Sequence, residues 1–192
     1  MKPLGVVVAA VVVLTIGCGD GDGPGCEFAG CGGDPTGSWS VDGVCGDFSA
    51  LGSELQEQCA GLELDYDLSA TGQIGINGDS SYRAVIQLRV NISASYPASC
   101  IADATSCADL QTGFEGAASC TGDVSDRCDC EFVSLENSDD SGTWDTDGAE
   151  LRIVDGDSEG RARYCQDGDS LRLEMVGEDT GVPTAIYILS RN

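Results

Sequence analysis

The run Thr143-Trp144-Asp145-Thr146-Asp147-Gly148-Ala149-Glu150-Leu151-Arg152-Ile153-Val154-Asp155-Gly156 decides how the rest of the chain is read. Two short extended stretches meet at Asp147-Gly148, and the second ends at Asp155-Gly156. Asp-Gly between such stretches is a strong hairpin signal, because a type I′ turn needs positive φ at both central residues. The pattern continues through Arg161–Gln166, Asp167-Gly168 and Leu171–Met175, and a last strand is expected from Pro183 to Arg191.

Upstream the same period of two recurs. Leu62, Leu64, Tyr66 and Leu68 alternate with Glu63, Asp65, Asp67 and Ser69. After Ile74-Gly75-Ile76, a turn at Asn77-Gly78 leads into a long strand. There Tyr82, Ala84, Ile86, Leu88, Val90 and Ile92 share one face, while Arg83, Gln87, Arg89 and Asn91 take the other. One side is thus buried and one wet. Further strands are expected at Gly37–Val41, Gly113–Cys120 and Cys128–Glu136. Between Ser49 and Ala60 the spacing of Leu51, Leu55 and Cys59, with a stop at Gly61, predicts a short helix. Tyr96–Thr112, with Pro97, Cys100 and Cys107, reads as a long disulfide-tied loop. Successive hairpins make an antiparallel meander, and about ten strands closed into a barrel would leave no exposed edges. The fold expected is therefore all-β, an antiparallel β-barrel with one short helix after the first strand; a β-sandwich is the alternative.

Gly37-Ser38-Trp39 on the first strand and Arg191 at the end of the last resemble the signature of the calycins, the lipocalins and fatty-acid-binding proteins. The resemblance implies that the tryptophan closes one end of the barrel and that the arginine packs over its ring. It also implies binding of a small apolar ligand inside. A helix directly after the first strand is more like the fatty-acid-binding arrangement. Gly142-Thr143-Trp144-x-x-Asp147-Gly148 echoes Gly37-Ser38-Trp39-x-x-Asp42-Gly43, as hairpins readily do.

The N-terminal end predicts location. Lys2 precedes an apolar run from Leu4 to Ile16, which is the form of a secretory signal peptide. It is too short for a comfortable membrane span of roughly 20 residues. Leu14-Thr15-Ile16-Gly17-Cys18 resembles the lipobox of bacterial lipoproteins, with Thr15 where leucine is usual. That resemblance implies cleavage before Cys18 and acylation at its thiol and new amino group, with palmitate among the acyl chains. It also implies a location in the cell envelope; Gly19 after the cysteine favours the outer membrane. The chain then divides into a signal peptide at 1–17, an acidic Gly-rich tether at 18–33 and a barrel domain at 34–192. As a Gly-rich coil, the tether from Gly19 to Asp34 would hold the domain roughly 20–24 Å from the bilayer.

Eleven cysteines are present. With Cys18 lipidated, ten remain for disulfides: Cys26, Cys31, Cys45, Cys59, Cys100, Cys107, Cys120, Cys128, Cys130 and Cys165. Cys26 and Cys31 would either close a local loop or pin the tether to the domain. Zinc is disfavoured, since Cys120-x7-Cys128-x-Cys130 lacks paired Cys-x2-Cys spacing and the chain has no histidine.

Removal of Lys2 leaves eight arginines against 33 acids, a side-chain charge of 8 − 33 = −25. Such a surface repels nucleic acid and anionic headgroups. Without histidine and lysine, Ser-His-Asp or Cys-His catalysis and Schiff-base chemistry are excluded. No carboxylate pair stands out, so no catalytic residue, metal or cofactor is expected. Asp155-x-Asp157-x-Glu159-Gly160 copies the start of a calcium loop, but Gln166 stands where its bidentate Glu belongs, so a plain turn is preferred. Arg161 and Arg163 share one face of their strand and are candidate contacts for an anionic ligand head. The expected function is non-catalytic: binding of a small apolar molecule or of another envelope protein. A structural lipoprotein and a protease-inhibitor-like barrel are the alternatives.

Overall fold

The computed structural model describes residues 28–46, 55–102, 104–113, 117–156, 158–176 and 183–192. Its architecture is a closed antiparallel barrel of eight strands with one further strand beside it. The strands are β1 (Gly37–Cys45), β2 (Glu63–Ile76), β3 (Ser81–Pro97), β4 (Ala117–Asp123), β5 (Arg127–Asp147), β6 (Glu150–Asp155), β7 (Ser158–Asp167), β8 (Ser170–Val176) and β9 (Pro183–Arg191). Neighbours along the sheet run β3-β2-β1-β9-β8-β7-β6-β5-β4, and the pairing of β3 with β5 closes the ring. The barrel therefore comprises every strand but β4, which pairs with the first part of β5 alone.

The meander follows from the turn residues. Gly148, Gly156 and Gly168 all have φ near +60° at the tips of the β5–β6, β6–β7 and β7–β8 hairpins. In the first and third of these only the glycine has positive φ, with Ala149 and Asp169 following it. That is the II′ arrangement, not the I′ expected; both fit the strand twist. The Asn77-Gly78 turn is longer than expected. It spans residues 77–80, with Ser80 at φ 65° and the Asp79 carboxylate accepting from the Ser81 amide at 3.0 Å.

The count falls from about ten strands to nine because two expected strands are one. Residues 128–136 and 143–146 belong to the 21-residue β5. The turn-forming letters Asn137-Ser138-Asp139-Asp140-Ser141-Gly142 remain extended because each pairs with β3, from Gln87↔Asn137 to Tyr82↔Gly142. Cross-strand pairing here overrides local preference.

β2, β3 and β5 are longer than the barrel wall. Their outer halves, with β4, make a four-stranded extension that has its own core of Leu62, Ala94, Ile101, Phe132 and buried cysteines. Cys59–Cys100, Cys107–Cys128 and Cys120–Cys130 staple it. Of the helix predicted between Ser49 and Ala60, residues 55–58 are helical and residues 49–54 lie outside the described residues. The long loop predicted at Tyr96–Thr112 is in part the end of β3, followed by 3-10 turns at Ala98–Cys100 and Cys107–Gly113.

Cys31–Cys165 joins the N-terminal segment to the end of β7. Cys45 is also disulfide-bonded. Cys18, Cys26, the expected signal peptide and the start of the expected tether lie outside the described residues. Residues expected in the tether, Cys31 to Gly33, are held against β7. The Cys31 and Gly32 amides donate to the Tyr164 carbonyl at 3.1 and 3.0 Å, and the Gln166 amide donates to the Gly32 carbonyl at 2.9 Å. The Tyr164 hydroxyl donates to the Gly33 carbonyl at 2.9 Å. Between the two ways of using Cys31, pinning to the domain is the one observed.

Candidate ligand-binding site

One end of the barrel is shut. Trp39 is fully buried, its indole N–H donating to the Pro35 carbonyl at 2.9 Å. The Arg191 guanidinium lies 4.5 Å from the indole centroid, within cation–π range. Trp39 and Arg191 face each other in the β1–β9 pairing that completes the ring. Gly37 is required beside them. Its φ is +151°, and a Cβ there would stand 3.1 Å from Arg191 Nη1 and 3.4 Å from the indole. Tyr164, Leu171 and Leu189 pack into the same end, each almost fully buried.

The other end is open. Alternation along each strand sends Ala84 and Ile86, Ser138 and Asp140, Ile153 and Asp155, Ser158 and Gly160, Met175 and Tyr187 inward, around a cavity of about 340 Å³. Ile74, Ile76, Leu151 and Leu173 line it more deeply. Small-molecule sites run from about 300 to 1,000 Å³, and an eight-stranded barrel is just wide enough to hold one small ligand. Space exists because several inward residues are small. At Gly160 an added Cβ would meet nothing within 4 Å.

The walls are apolar and the mouth is acidic. Asp140 and Asp155 line the cavity at its exposed rim, and none of its lining residues is basic. Tyr82 is buried between them. Burial first, then the charges of Asp155 and Asp140, push its phenol above the ordinary range. Burial likewise raises the Tyr187 phenol, with a smaller push from Glu136. The Trp144 indole is held by donation to the Asn77 carbonyl at 3.0 Å.

The arginines expected at a ligand head lie elsewhere. On β7 the inward residues are Ala162 and Tyr164, both buried, so Arg161 and Arg163 project outward. Arg161 reaches Glu150 at 3.1 Å and Glu159 at 3.4 Å. Arg163 forms an ion pair with the buried Glu174, whose Oε2 makes the contact without hydrogen-bond directionality. It also lies 5.8 Å from the Phe28 ring centroid. Neither arginine lines the cavity. The alternation Arg161-Ala162-Arg163-Tyr164 was the signal that the arginines face out. In the calcium-loop-like run, Asp157 lies outside the described residues and the Glu159 carboxylate is taken by Arg152 at 2.7 Å.

Among the described residues no group of three or more His, Cys, Asp and Glu side chains has a metal-holding arrangement, and no helix is long and apolar enough to cross a membrane. The sequence missed Ser138, Asp140, Asp155 and Ser158 as lining residues, since polar residues on an inner face break the apolar alternation used to assign faces. No protein-family model, curated protein or solved structure matches the chain.

Proposed function

We propose that this protein is a non-catalytic, lipid-anchored protein of the bacterial cell envelope whose barrel binds a small apolar molecule. The observation that carries the reading is the cavity of about 340 Å³, closed at the Trp39–Arg191 end and open at the other. Burial of an apolar ligand in such a space stabilises by roughly 25 cal/mol per Å² of apolar surface removed from water. The likeness to lipocalins and fatty-acid-binding proteins supports it through Gly37, Trp39 and Arg191. Anchoring through acylated Cys18 is supported by the lipobox-like run, and the outer membrane is the location that Gly19 favours. The Cys31–Cys165 bridge ties the domain end of the proposed tether to β7.

Titration of the mature domain with Nile red, a neutral solvatochromic dye, tests the reading. Saturable binding of one dye per barrel, with blue-shifted emission, is expected. Absence of saturable binding would overturn it.

A further inference from the structure

We propose that the ligand is a cationic amphiphile, an apolar chain or ring carrying an ammonium group, held with the charge at the mouth between Asp140 and Asp155. This rests on the apolar-binding reading above and specifies its ligand.

Three observations converge. Asp140 and Asp155 come from different strands and line the same rim. The register explains the meeting. Ala84 faces Asp140 and Tyr82 faces Gly142, so Tyr82 is the diagonal neighbour of Asp140. The β5–β6 ladder ends at Thr143↔Val154, and Asp155 follows directly. Two carboxylates thus stand around one buried tyrosine at the end of a ladder.

Second, among the described residues no cation lines the cavity beside them. Arg83, Arg127, Arg152, Arg161, Arg163 and Arg191 each form ion pairs with other acids. Among the described residues neither Asp140 nor Asp155 takes part in an ion pair, and the cavity lining holds no arginine. Third, Tyr82, Trp144 and Tyr187 supply aromatic surface to the same space. Ammonium groups bind well where carboxylates and aromatic faces combine. A carboxylate ligand would meet repulsion there, in a chain whose formal net charge is already −24.

The test uses three probes that share one chain: octylammonium, octan-1-ol and octanoate, each titrated calorimetrically into the mature protein at low and high salt. Octylammonium is expected to bind at least tenfold more tightly than octanol, and octanoate more weakly than either. Salt should shrink the ammonium advantage by screening the rim charges. In the Asp140→Asn/Asp155→Asn variant the advantage of octylammonium over octanol should disappear. Both positions are exposed, so the variant should fold, and a far-UV circular-dichroism spectrum and Tm matching the parent verify this. If octanol binds and octylammonium has no advantage, or keeps it in the double variant, the cationic assignment is wrong and the apolar cavity stands. If none of the three binds, both readings fall.

Discussion

Arg191 stacks on Trp39, its guanidinium carbon 4.5 Å from the indole centroid, although the two residues lie near opposite ends of the folded chain. The contact joins β1 to β9 and plugs the closed end of the barrel. Arg191→Ala should cost about 1–2 kcal/mol in chemical denaturation. In a Trp144→Phe background it should also shift Trp39 emission to the red. Unchanged stability together with unchanged emission would mean that the stack contributes nothing.

How much of this was readable beforehand differs from element to element. The three C-terminal hairpins were legible because Asp-Gly punctuates them and their apolar residues alternate. Pairing of the first and last strands was legible only through the resemblance at Gly37, Trp39 and Arg191. β5 was not legible as one strand, since Asn137–Gly142 consists of turn-forming residues whose extended state depends on β3 far along the sheet. The site was hidden for a related reason. A cavity forms where inward residues are small or polar, and Ser138, Ser158 and Gly160 look like loop residues until the sheet gives them a face.

The Cys31–Cys165 bridge holds the segment beginning at Phe28 against β7. Replacing both cysteines with serine should lower stability by about 2–4 kcal/mol. It should also make the chain near residues 28–33 a new site of limited proteolysis. Octanol binding at the open end should persist, because the bridge lies by the closed end. Protease resistance equal to that of the parent would show that the amide bonds to Tyr164 and Gly32 suffice without the bridge.

Arg161 and Arg163 share a strand and a face but differ in what they serve. Glu174 is buried, with its side chain 5% exposed, and Arg163 is its counter-ion. Arg163→Ala strands that carboxylate and should cost about 2–3 kcal/mol. Arg161 pairs with more exposed acids, so Arg161→Ala should leave the denaturation midpoint within error of the parent. Equal effects of the two substitutions would contradict this division.

Anchoring has its own measurement. In the native host the protein should partition with membranes, and its N-terminal peptide should carry acyl mass on Cys18. Stable attachment needs more than one acyl chain. Cys18→Ser should release the protein or leave it unprocessed. An unmodified Cys18 by mass spectrometry would remove the lipoprotein reading without touching the barrel.

The most direct test of the central claim fills the cavity. Gly160 lines it, and a side chain added there would meet no atom within 4 Å of its Cβ, so Gly160→Leu should occupy the ligand's space without forcing the walls apart. Nile red titration of Gly160→Leu against the parent is the measurement, with Tm followed in parallel. The account predicts at least a tenfold loss of dye affinity with Tm unchanged or raised. Undiminished affinity in a folded Gly160→Leu protein would show that the barrel interior is not where the ligand binds.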